Sequence, residues 1–134
     1  MAISRAEYSI LRDLCIARAV SEKPRLLELG DANWYGDVPV QQLADDIRRV
    51  VEPQRREQVM ARLVETLRHQ DKYMLFEIAK ICYEAFVGYV SRTAVDLNGS
   101  PGALRFDLNL PIRLDGQFDI VVNSGAGEHV FDVR

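Results

Sequence analysis

Arg25-Leu26-Leu27-Glu28-Leu29-Gly30 is the stretch on which the fold turns. It is a short, largely apolar run closed by glycine, with Lys23-Pro24 before it and turn formers after it. Such a run is predicted as a strand buried on both faces, the kind found in parallel sheets. The segment beyond it, DANWYGDVP (31–39), reads as a loop. An acid, Glu28, therefore stands two residues before a glycine at the carboxyl end of a buried strand.

Upstream, Ser4 with Glu7 three residues on forms a capping-box pattern. Tyr8, Leu11, Leu14 and Cys15 then recur at helical spacing, predicting a first helix that fades near Ser21. Downstream, Val40, Leu43, Ile47 and Val50 mark a short helix. Glu52-Pro53 starts another, with Val59, Met60, Leu63, Val64 and Leu67 on one face. Asp71 caps a third, carrying Leu75, Ile78, Ala79, Cys82, Phe86 and Val87 and ending near Gly88. After Tyr89 the pattern changes to short apolar runs: TAVDL (93–97), ALRFDL (103–108) and FDIVVN (118–123), separated by Asn98-Gly99-Ser100-Pro101-Gly102 and by Leu114-Asp115-Gly116-Gln117. A further helix is predicted from Glu128. The order predicts a single α/β domain over residues 1–134. It holds a parallel sheet of about four strands, an amino-terminal helix, and a helical insertion between the first two strands at about 40–89.

The chain has 134 residues, 48% of them hydrophobic, and a net charge of −3 from 17 basic and 20 acidic residues. That supports a packed core and gives no electrostatic case for nucleic acid or for a polybasic membrane anchor. No apolar run approaches the length of a membrane span and the first residues do not form a signal peptide, so the expected compartment is the cytoplasm. Cys15 and Cys82 lie in apolar helical contexts without a CxxC partner and read as reduced, buried residues. Two distant histidines and two distant cysteines make no metal site. Neither a GxxxxGK[ST] loop nor a GxGxxG motif is present.

Three strand ends carry an acid beside a turn: Glu28-Leu29-Gly30, Asp96-Leu97-Asn98-Gly99 and Asp107-Leu108-Asn109. The fourth ends at Asn123-Ser124-Gly125. In an open α/β sheet, ligands lie outside the carboxyl ends of the strands. In this order, LLELG, VDLNG, RFDLN and FDIVVNSGAGEHVFD resemble the first four strand motifs of the class I, Rossmann-like, S-adenosylmethionine-dependent methyltransferases. The resemblance covers roughly residues 25–134. It implies that S-adenosylmethionine is the cofactor, with Glu28 orienting its methionine end and the Gly30 backbone approaching it. Asp96, with Leu97 beside it, would hold the ribose hydroxyls. Asp107 would face the adenine amino group, and the Leu108 backbone the ring. Asn123 would lie on the acceptor side, and since the loop after Gly30 lacks further glycines, Asn33, Trp34 and Tyr35 are the candidates to line it. The methyl acceptor is not implied. Methyl transfer requires alignment rather than a catalytic triad, and His129 is the one candidate base near the cleft.

Two features depart from the family pattern. The loop after Gly30 reads Asp31-Ala32-Asn33-Trp34 and lacks the later glycines, and the helical insertion separates Gly30 from Asp96. The resemblance also implies strands beyond the fourth. The chain is therefore expected to be a fragment of that fold, or to have the open edge at Ile120, Val121 and Val122 covered by a second copy or another protein. The alternative function is a non-catalytic Rossmann-like interaction module whose helical insert binds a protein partner. The six arginines between Arg48 and Arg68 alternate with acids and read as a solvated helical face.

Overall fold

Ser4 sets the first element. Its backbone is extended (φ −76°, ψ 161°) and its hydroxyl accepts from Glu7 N at 3.2 Å, opening α1 (Arg5–Ile16). This is seen in a computed structural model, which describes residues 2–127. The helix stops short of Ser21 because Arg18 takes up a positive φ of 50°, which no helix accommodates. The Glu7 side chain does not return to Ser4 N as a capping box would require; it points to distant partners described below.

The other elements are β1 (Arg25–Leu29), α2 (Val40–Val50), α3 (Pro53–His69), α4 (Met74–Val87), β2 (Ser91–Val95) and β3 (Ile120–Val122). Pro53 opens α3, where its missing N–H costs nothing. Asp71 acts ahead of α4: its carboxylate accepts from Tyr73 N at 2.8 Å and its carbonyl from Met74 N at 3.1 Å. Gly88, at φ 66°, closes α4 in the left-handed conformation that glycine adopts without strain.

The sheet has the order β2–β1–β3 and both pairings are parallel. Leu29 lies opposite Val95, and Glu28 lies opposite both Ala94 and Val122. The protein is thus an α/β domain of four helices and a small parallel sheet among the described residues. The expected strand at 103–108 is reduced to one bridge, Leu104 beside Val95. Leu104 and Phe106 are exposed, so that segment buries too little to extend as a strand. The second strand begins and ends two residues earlier than 93–97, which leaves Asp96 and Leu97 beyond its tip. The last is Ile120–Val122 rather than 118–123. The helix expected from Glu128, and with it His129, lies outside the described residues.

One apolar core joins Leu26 of β1 to buried residues of all four helices, with Ile120 and Val122 packed against it. Tyr8 stands edge-on to both Trp34 (5.9 Å, 78°) and Phe86 (5.5 Å, 77°), tying α1, the loop after β1 and α4 together. The Trp34 indole N–H donates to Val38 O at 2.9 Å. Cys82 is buried and Cys15 half-buried, and both are free thiols. The arginines of α2 and α3 are engaged within the chain. Arg48 and Arg49 pair with Asp45 and Asp46, and Arg62 pairs with Glu77 and Glu84. Arg68 pairs with Glu65, while Arg55 and Arg56 donate to the carbonyls of Ala85 and Val51. His69 pairs with Glu65 on an exposed turn. No helix among the described residues is long and apolar enough to cross a membrane.

Candidate functional site

Parallel pairing sends the carboxyl ends of β1, β2 and β3 to one rim. Gly30, Asp96 and Asn123 are the first residues beyond those ends. Gly30 has φ 83° and its N–H donates to Val95 O at 2.8 Å, so the chain turns off β1 while still tied to the tip of β2. The chain leaves β1 toward β2 and later returns to the opposite side of β1 as β3. This reversal of direction makes the β1/β3 boundary the switch point at which open α/β sheets bind ligands.

The loops after β1 and β2 are locked together by charge. Arg92, on β2, donates through Nε to Glu28 Oε2 at 2.8 Å and through Nη2 to Asp31 Oδ1 at 2.5 Å. Glu28 Oε1 accepts from Ala32 N at 2.6 Å. The other oxygen of Asp31 accepts from Ser100 N at 2.7 Å, while Asp31 N donates to Asp96 Oδ2 at 2.9 Å. Asp96 Oδ1 in turn accepts from Asn98 N at 2.7 Å. Gly99 is packed so closely that a Cβ there would come within 2.8 Å of Asp31 Cβ and 3.0 Å of Asp96 Cβ.

Burial governs the protonation of this cluster. Glu28 is fully buried, and desolvation pushes its carboxyl up to about 7 against the pull of Arg92 and the Ala32 N–H. Asp31 is buried too. Desolvation raises it, but the hydrogen bonds from Ser100 and Arg92 outweigh that and hold it below the ordinary range. The Arg92 guanidinium is raised: its burial is overcome by Glu28 and Asp31.

The sequence-predicted residues therefore have distinct surroundings. Glu28 sits inside, beneath the loop, rather than on the rim. Asp96 is half-buried at the tip of β2, and Leu97 beyond it is exposed. The Asn33 carbonyl receives Ile3 N at 3.1 Å, and its side-chain Oδ1 is buried without a donor among the described residues. Asn123 Oδ1 accepts from Gly127 N at 3.0 Å and closes the loop after β3. Asp107 accepts from the backbone and side-chain nitrogens of Asn109, which lowers its carboxyl and makes it the anchor of an Asx turn. Leu108 lies in that turn, half-buried. In the loop that follows Gly30, Ala32 and Trp34 are both buried.

Sequence reasoning missed Arg92 and Asp31, although two acids flanking Gly30 in a buried strand end call for a cation. It also missed a second cluster near the rim. Tyr83 of α4 donates to Glu7 Oε1 at 2.9 Å and Ser124 Oγ donates to the same oxygen at 2.5 Å, the two hydroxyl oxygens lying 2.7 Å apart. Burial, with Glu28 and Glu7 nearby, pushes the Tyr83 hydroxyl up, so it stays a donor. No group of residues that could hold a metal ion occurs among the described residues. Compared with protein-family models, with curated proteins and with solved structures, the chain matches none.

Proposed function

We propose that this chain is the cofactor-binding portion of an S-adenosylmethionine-dependent methyltransferase, with the cofactor lying across the rim at Gly30, Asn33, Asp96 and Asn123. One observation carries the reading. With Leu104 bridging Val95, the spatial order is the 104 segment, β2, β1, β3, which is the 3-2-1-4 order of doubly wound nucleotide-binding sheets.

The rim offers groups suited to such a ligand. Asp96 uses one site on each oxygen for a backbone N–H, and a carboxylate has roughly four. The remaining sites can accept ribose hydroxyls. Asn33 Oδ1, without a donor among the described residues, suits an ammonium or hydroxyl. Glu28 would act through the loop, fixing Ala32 and, through Arg92, Asp31. The cofactor would supply a methyl group already activated on a sulfonium. The chain's own part is to hold the adenosyl end still and keep water from the transfer.

The filled loop favours the second reading, a non-catalytic module. Trp34 occupies core space where the family has glycine, and Val64 and Leu75 are exposed on α3 and α4 as a surface for a protein partner. Calorimetry with S-adenosylmethionine and with its demethylated product separates the two. Saturable binding that disappears in Asp96→Ala, with that variant's thermal unfolding still cooperative, supports the first reading. A folded chain that takes up neither compound leaves the module reading.

A further inference from the structure

A groove of about 630 Å³ lies between α1 and β3 and reaches the rim at Asn123. Its walls are apolar: Ile10, Leu11 and Leu14 on one side, Ile120 to Val122 on the other. Its upper end, beside the tip of β3, is polar, with Ser4, Glu7, Asn123 and Ser124. Among the described residues, Glu7 is the one charged residue lining it.

Glu7 is built into place rather than left to wander. Oε1 is fixed by two hydroxyls, from Tyr83 on α4 and Ser124 after β3, both buried. Oε2 accepts no hydrogen bond among the described residues. A carboxylate oriented through one oxygen, with the other unused at the end of an apolar trough, is complementary to a cation on an apolar tail. Ile10 and Val121 remain more than half exposed on the trough's rim, which is surface that such a tail would cover.

We infer that this groove binds a primary amine carried on an aliphatic body, its ammonium on Glu7 Oε2 and its chain along Ile10, Leu14 and Val121. The inference is independent of the methyltransferase reading and proposes no transfer to that amine. The binding itself follows from the groove.

The probe is n-hexylamine, followed by amide chemical shifts, with n-hexanol and hexanoate as controls. Saturable shifts at Ile10, Leu14, Val121 and Ser124 with the amine, and none with hexanoate, are expected. Glu7→Gln keeps an acceptor for Tyr83 and Ser124 but removes the charge, and amine affinity should fall at least tenfold. Ile10→Lys is a second variant at an exposed position. It sets an ammonium three residues from Glu7 on one helix face, and it should compete the amine away to a similar degree. Equal binding of hexanol, or unchanged amine affinity in both variants, overturns the inference. Calorimetry with S-adenosylmethionine on the same samples keeps the two readings apart. Cofactor binding without amine binding defeats the groove assignment alone, and amine binding without cofactor binding defeats the methyltransferase reading alone.

Discussion

Replacing Arg92 by methionine removes the charge that Glu28 and Asp31 share while keeping an unbranched stem of similar reach. Both carboxylates are then left buried against each other with no cation, in a place where the Arg92 side chain is itself only 10% exposed. Removing one partner of a buried ion pair costs about 3–5 kcal/mol, a large share of the roughly 5–15 kcal/mol that holds a domain folded. With a urea dependence of about 1–3 kcal/mol per molar, the unfolding midpoint should drop by at least about 1 M. The deficit should also depend on pH. Glu28 already stands at about 7 in the intact chain, above its ordinary 4.5. A carboxyl raised by folding contributes stability that is fully present below its unfolded pKa and is lost as pH rises through the folded one. Without Arg92 the pull opposing burial is gone, Glu28 rises further, and the loss extends to higher pH. The deficit of Arg92→Met should therefore be largest near about pH 8 and shrink toward about pH 5, by no more than about 1.4 kcal/mol per pH unit. Asp31, held low in the intact chain, keeps part of it at the acid end. Adding Glu28→Gln should recover much of the loss at about pH 8. Urea unfolding of the intact chain, Arg92→Met, Glu28→Gln and the double variant at both pH values is the assay. A deficit below about 1 kcal/mol, or one equal at both pH values, would refute the argument that Arg92 neutralises two buried acids.

Other substitutions test the frame around the rim. Trp34→Ala empties the space beside Tyr8 and frees the Val38 carbonyl, and should cost about 3–5 kcal/mol in denaturant unfolding. In the intact chain Trp34 is the sole tryptophan, so its emission should move to the red on unfolding in step with circular dichroism. Gly88→Ala forces a side chain at φ 66° whose Cβ would lie 1.7 Å from Arg55 Nη1. A loss of about 1–3 kcal/mol is expected, and thermal unfolding unchanged within error would contradict it.

The helices were legible because their signals are local. Ser4, Pro53 and Gly88 act within a turn of the elements they bound, and the apolar spacing of α2 to α4 needs no distant partner. β1 was legible because Leu26 and Leu27, which alternate between the two faces of the strand, are both buried. The segment 103–108 has a similar pattern of residues but lacks a covering layer, and only Leu104 pairs. The site was harder to read because its chemistry is long-range. Glu7 looked like half of a capping box, yet its carboxylate meets Tyr83 and Ser124, and no spacing rule connects those three. Arg92 carries no motif at all; only the burial of Glu28 and Asp31 gives it a purpose.

The middle strand is the first to be made and the last to be completed. Arg25 must wait for Ser91 and Leu26 for Ile120, so during synthesis β1 leaves the ribosome with neither neighbour in existence. The helices between need only their own sequence and can assemble around Tyr83 and Phe86 before any strand pairs. Until Ile120 emerges, Leu26 and Leu27 have only that half-built helical layer to shield them, and slow or interrupted translation lengthens the interval in which they can find a wrong partner.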